Sequence, residues 1–134
     1  MPTLLDLAGA KPPSALDGVS LVPVLRGEDR VIREWLHFEH ATCYSKEQAF
    51  HALTDGHYKY IWRPLDGTEL LFNLDDDPRE EHDLARLAGQ RATLEGWRTR
   101  LVRRLAARPE GFSDGTQLIA GRPYPALHPS PDRK

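Results

Sequence analysis

Gln48–Trp62 reads QAFHALTDGHYKYIW, and this stretch decides the fold. Asp55-Gly56 at its centre is a dipeptide that favours a two-residue type I′ turn, where both central residues need positive φ. The flanks carry Phe50, Tyr58, Tyr60, Ile61 and Trp62, side chains that suit a half-buried pleated surface. The sequence therefore predicts an antiparallel hairpin of Gln48–Thr54 and His57–Trp62. A two-residue turn sets Leu53 opposite Tyr58, His51 opposite Tyr60 and Ala49 opposite Trp62 on one face. Thr54/His57, Ala52/Lys59 and Phe50/Ile61 fall on the other.

Two further strands flank the hairpin. Glu34–His40 (EWLHFEH) precedes it, and Glu69–Leu74 (ELLFNL) follows through an Asp66-Gly67 turn that would pair Trp62 with Leu71 and Ile61 with Phe72. Side chains alternate across a strand, so the two faces differ in chemistry. One face carries Phe50, Ala52, Ile61, Leu70 and Phe72 and is compact and apolar. The other carries His51, Leu53, Tyr58, Tyr60, Trp62, Leu71 and Asn73 and is aromatic and amphipathic. Asp75-Asp76-Asp77-Pro78 ends the sheet. From Asp83 to about Ala107, Leu84, Leu87, Leu94, Trp97, Leu101 and Leu105 recur mainly at spacings of three, four and seven, a single helical stripe that Gly89 divides. That stripe is expected to cover the compact apolar face and leave the aromatic face open. The fold class is α+β: a small antiparallel sheet of about four strands packed on a C-terminal helix.

The ends of the chain differ from this core. Thr3–Ala8 (TLLDLA) is predicted as a short helix, capped by Thr3 and stopped by Gly9. It is apolar nearly all round, so it needs a partner on several sides. A Pro- and Gly-punctuated connection follows, with one helical turn around Ser20–Leu25. Residues 108–134 hold Pro109, Pro123, Pro125, Pro129 and Pro131 and few apolar side chains, and are expected to be extended or disordered. The expected organisation is thus 1–33, a core at 34–107, and a tail at 108–134.

The 134 residues carry a net charge of −2, and acids are interleaved with the arginines, which argues against a nucleic-acid or membrane-surface binder. No apolar run approaches the ~20 residues needed to span a bilayer. No leader-like segment follows Met1, so a cytoplasmic location is expected for the sequence as it stands. The single cysteine, Cys43, excludes an internal disulfide.

Four segments together carry a resemblance. Pro2–Gly9 (PTLLDLAG), Asp17–Gly27 (DGVSLVPVLRG), Ala52–Ile61 (ALTDGHYKYI) and Glu69–Leu84 (ELLFNLDDDPREEHDL) resemble, in this order, the C-terminal portion of sulfatases of the alkaline-phosphatase-like superfamily. The resemblance implies the C-terminal subdomain of a sulfuric ester hydrolase. It implies a preceding α/β domain that holds Ca²⁺ and a formylglycine made from a C/S-x-P-x-R motif. Neither is expected in this segment: Cys43 is followed by Tyr44-Ser45-Lys46-Glu47, and no serine begins such a motif. The chain alone is therefore expected to be inactive. Its expected partner is the missing N-terminal sulfatase domain, or a second copy through the vacant interface.

By the same resemblance, loops of this subdomain wall the substrate pocket, which makes His40, Cys43, Tyr44 and His51 the substrate-contact candidates. The plain alternative is a strand connection with an ordinary cross-strand His–Tyr pair. His37, His40, Cys43 and His51 lack zinc-motif spacing, and Asp75–Asp77 lacks the ligand pattern of a calcium loop. A Cys43–histidine nucleophile pair would need an orienting third group. Two other functions remain open: an interaction module using an exposed aromatic sheet face, and a piece of a related phosphonate or phosphodiester hydrolase.

Overall fold

The computed structural model describes residues 1–124 apart from positions 12, 13, 15, 17, 29, 30, 43 and 44. The chain forms two compact units, Met1–Glu34 and Trp35–Lys134.

The first unit holds two short helices, α1 (Pro2–Leu7) and α2 (Val22–Leu25). Gly9 ends α1 with φ +63°, as its lack of a Cβ allows. Thr3 does not cap the helix. Its hydroxyl instead accepts the Leu21 N–H at 3.1 Å, while Ser20 donates to the Asp6 carboxylate, and these two bonds tie α1 to the entry of α2. None of the α1 residues is buried, and Leu4 and Leu7 are 68% and 61% exposed.

The second unit is a four-stranded antiparallel meander, β1 (Leu36–His40), β2 (Phe50–Thr54), β3 (Tyr58–Trp62) and β4 (Glu69–Asn73), followed by α3 (Arg91–Leu105). The α+β class is as the sequence predicts. The register is not: Leu53 faces Tyr60 and His51 faces Trp62, while Trp62 faces Glu69. Both hairpins are displaced by two residues because their turns are longer than two residues. Asp55 Oδ1 accepts the N–H groups of His57 and Tyr58, and Thr54 donates to the Tyr58 carbonyl, so the first turn spans 55–58. A displacement of two preserves the pleat, so every side chain keeps its predicted face.

The face that α3 covers is the opposite of the one predicted. Leu94, Trp97, Leu101 and Leu105 pack on Leu53, Tyr60, Trp62 and Leu71, so the aromatic face is the core. This removes the reading of an exposed aromatic face that binds partners. The physical reason is that its polar atoms have partners under the helix. The Tyr60 hydroxyl donates to Glu69 at 2.6 Å, and Glu69 takes two further bonds from Arg98 of α3. Buried tyrosine is stable when its hydroxyl is bonded, and its ring then contributes more apolar area than an aliphatic side chain. The compact face stays half-open. Ala52 and Phe72 are buried there, but Leu36 and Phe38 are 45% and 47% exposed, and Lys59 reaches from this side to pair with Glu80 at 2.7 Å.

Residues 108–124 also depart from expectation. Phe112 and Tyr124 are buried in the same core cluster, and Ser113 bridges Leu118 in a small turn. Two backbone bonds strap this segment down: the Gly121 N–H donates to the Pro64 carbonyl at 2.8 Å, and the Thr42 N–H donates to the Tyr124 carbonyl at 3.1 Å. Proline-rich composition marks absence of helix here, not absence of packing. The Phe112→Ala variant should lose roughly 3–5 kcal/mol in urea unfolding, as a fully buried aromatic does, and Phe38→Ala less than about 1 kcal/mol. Equal losses would place residues 108–124 outside the core.

Candidate functional site

β1 and β2 pair so that Glu39 faces His51 and His37 faces Leu53. Alternation then puts His37, Glu39 and His51 on the covered face. His51 has no exposed surface; its ring stacks on Tyr124 at 5.0 Å and on Trp62 at 5.9 Å, with the Phe112 edge against it. Its Nδ1 lies 3.1 Å from His37 Nε2 and 3.6 Å from a Glu39 oxygen. Arg104 Nε donates to His37 Nδ1 at 3.4 Å, so the His37 proton sits on Nε2 and is donated onward to His51. The remaining His51 nitrogen, Nε2, has no hydrogen-bond partner. Glu39 is saturated separately by Arg108 at 3.0 Å and the Tyr124 hydroxyl at 2.9 Å.

Burial is the main cause that pushes the His51 imidazolium down to about 4, and the neighbouring His37 adds to it, against the opposing pull of Glu39. Burial likewise lowers His37, with Arg104 and Arg108 adding to the effect against Glu39. For Glu39, burial raises the carboxyl, but the bonds from Arg108 and Tyr124 outweigh it and the net direction is down. Donor atoms of His37, Glu39 and His51 lie within 4.8 Å of one another, a spacing that could hold a metal ion. Arg104 donates to His37, His37 to His51, and Arg108 and Tyr124 to Glu39, and two guanidinium charges adjoin the set. The donor set thus reads as an internal network that fastens residues 108–124 to β1 and β2. Asp77, Glu81 and His82 form a second such group, but Asp77 Oδ2 accepts the His82 N–H at 2.8 Å and serves the turn after β4. Asp83 caps the same segment, accepting the Leu71 and Ala85 N–H groups.

The candidates from sequence therefore part company. His51 is interior, beneath Tyr124. His40 lies on the other face, where it stacks on Phe50 at 6.0 Å. Cys43 and Tyr44 lie outside the described residues. The nearest concavity is a cavity of about 370 Å³ with Thr42, Lys46, Ala49, Pro64, Arg122 and Tyr124 in its wall. Sequence reasoning did not single out Lys46 or Arg122. Arg122 sits in a Pro/Gly-rich stretch whose only local signal is turn composition, and the strap that brings it to Lys46 is long-range.

A histidine with a lowered folded-state value leaves the unfolded chain binding more protons as the solution is acidified. The His51 contribution is thus complete above pH 6.5 and is lost as pH falls from 6.5 to about 4, by on the order of 3 kcal/mol. His51→Phe should flatten the urea midpoint across that window. An unchanged slope would assign the acid sensitivity to other groups.

The family described as N-sulphoglucosamine sulphohydrolase, C-terminal, matches residues 1–107. An arylsulfatase of Clostridium perfringens (strain 13 / Type A) is 31% identical over 127 residues, which cover 95% of this chain and 26% of that protein. A solved structure of a putative sulfatase from Bacteroides thetaiotaomicron VPI-5482 superposes with a TM-score of 0.74 at 25% identity, covering 96% of this chain and 29% of the other. The phosphonate monoester hydrolase of Agrobacterium radiobacter superposes with a TM-score of 0.60 at 28% identity, covering 75% of this chain and 23% of the other. The chain thus spans about a quarter of the length of these relatives. The meander, the single covering helix and the ordered segments from Pro2 to Leu84 have one common explanation: this chain belongs to the sulfatase C-terminal family.

Proposed function

We propose that this chain serves as the C-terminal portion of a sulfate ester hydrolase, and that the reacting groups come from residues outside it. The observation that carries the reading is the match to a sulfatase C-terminal family over residues 1–107 in a chain without C/S-x-P-x-R. Formylglycine would require that motif, and Cys43-Tyr44-Ser45-Lys46-Glu47 does not provide it. Ca²⁺ takes six to eight oxygen ligands. Among the described residues the donor groups that converge are a His–Glu–His set held by arginines and a turn cluster, and neither is an oxygen cage. Both cofactors would belong to the rest of a longer protein, and no step of the reaction is assigned to this chain.

Its role in that reading is architectural. The half-open sheet face, with Leu36, Phe38, Phe50, Ile61 and Leu70, and the exposed leucines of α1 are apolar surface suited to a larger domain. Replacing the matching segment of the Clostridium perfringens arylsulfatase with this chain tests the reading. The chimera should retain turnover of an aryl sulfate, and the chain alone should show none. A folded chimera without turnover, or Ca²⁺-dependent turnover by the chain alone, would overturn it. The resemblance to phosphonate monoester hydrolase motivates a second reading, so the full-length parent should be assayed with a phosphonate monoester beside the sulfate. In the isolated chain the open face should drive self-association, and Phe38→Glu should shift sedimentation toward the monomer. Identical sedimentation of the two would exclude this face as the contact.

A further inference from the structure

We propose that residues 108–124 form an acid-released latch, a segment that lifts from the sheet below neutral pH while the four strands stay paired. This segment lies beyond residues 1–107, which match the family, and its behaviour does not depend on the activity of a longer protein. The first supporting observation is how the latch is closed. Phe112 and Tyr124 are buried, and both rings lie against His51. The Gly121 N–H donates to the Pro64 carbonyl, and the Thr42 N–H donates to the Tyr124 carbonyl. The polar anchors meet at Glu39, which accepts the Tyr124 hydroxyl and pairs with Arg108. Arg108 in turn holds Glu110 at 2.6 Å. None of these bonds belongs to the ladder between β1 and β4, so the latch can open without unpairing a strand.

The second observation is what closure imposes on the histidine pair. His51 Nδ1 accepts the His37 Nε2 proton at 3.1 Å, and His37 Nδ1 accepts from Arg104 at 3.4 Å. His51 therefore carries its own proton on Nε2, which has no hydrogen-bond partner among the described residues. A further proton on His51 would set two N–H groups against each other across that 3.1 Å gap. Arg104 is exposed and can turn into solvent, but His51 has no exposed surface. Its imidazolium can be hydrated only when Tyr124 and Phe112 move away.

The third observation is the balance of surrounding charge. β1 presents His37 and Glu39 to His51, and the segment after α3 presents Arg108 and Glu110. β3 presents the uncharged Trp62 ring, and α3 adds Arg104 behind His37. Burial, then His37 and Arg108, oppose a charge on His51; Glu39 and Glu110 favour it, and the net result is a fall to about 4. Burial and the bond to Glu39 push the Tyr124 phenol up, so it stays a donor throughout the acid range. The closed latch thus binds fewer protons than the open one, and acid favours opening. Values of 6.5 when open and about 4 when closed raise the open-to-closed ratio about twentyfold between pH 7 and pH 5.

The test is amide hydrogen exchange of the full chain at pH 7 and pH 5, corrected for the intrinsic rate. The Thr42 and Gly121 amides close the latch, and their opening should rise about twentyfold, while amides within β2 and β3 keep their protection. His51→Phe keeps a ring under Tyr124 and cannot take up a proton, so it should hold the Thr42 and Gly121 opening constant across this range. A second variant reads the coupling from the other side. In Tyr124→Ala, ¹⁵N NMR of the histidine rings should show His51 titrating near its ordinary value. Four results would each overturn the latch: no gain in opening at pH 5, equal loss of protection in β2 and β3, an undiminished gain in His51→Phe, or His51 still titrating near 4 in Tyr124→Ala. Should His51→Phe not fold, the Tyr124→Ala titration decides. Should the chain not fold alone, the same amides and rings are read in the arylsulfatase chimera, with the same outcomes deciding.

Discussion

The structure depends on how Glu69 is satisfied. Tyr60 donates to it from the neighbouring strand, and Arg98 donates to it twice from α3, at 2.6–2.7 Å. Without the arginine, a part-exposed carboxylate beside a buried phenol would face the apolar layer of the helix with its charge uncompensated. With it, Tyr60 and Trp62 are buried beside Trp97 and Leu101, and the helix has one seat. The phenol proton is held more tightly than usual, first because of burial and then because of the bond to Glu69. The same pairing orients α3, since Arg98 lies one residue beyond Trp97 and must reach Glu69 at the start of β4.

The legible part of the fold followed from period and turn chemistry. Alternation over Phe50–Thr54 and Tyr58–Trp62 assigned each side chain to its face, and an error of two residues in register left that assignment intact. The side taken by α3 was not legible. Composition ranked Phe50, Ile61 and Leu70 as the drier face, and only three-dimensional pairing shows that the Tyr60 hydroxyl has a partner under the helix. Residues 108–124 failed for a related reason. Phe112 and Tyr124 are two aromatic anchors in a stretch without periodicity, and no local pattern distinguishes an ordered strap from a tail.

The candidate site shows the same division. The sequence placed a strand at Glu34–His40 without assigning its partner, and it is the observed pairing with β2 that brings His51 beside Glu39. That His51 would be roofed by Tyr124 depends on residues more than seventy positions away. His40, one residue beyond Glu39, falls on the other face by simple alternation, which separates two histidines that motif reasoning grouped. Lys46 and Arg122 carry no motif at all. They become neighbours of one cavity because Gly121 is bonded to Pro64 and Tyr124 to Thr42.

That strap bears on biosynthesis. The Tyr124–Glu39 bond joins residues 85 positions apart, and the ring that covers His51 is the last aromatic side chain among the described residues to leave the ribosome. Contacts of such separation form after local ones, because a long loop must close before they contribute. The meander can begin to pair during synthesis, but His51 stays wet, and Glu39 lacks its phenol partner, until the strap arrives. Until residues 121–124 are in place, the sheet remains half-roofed over His51.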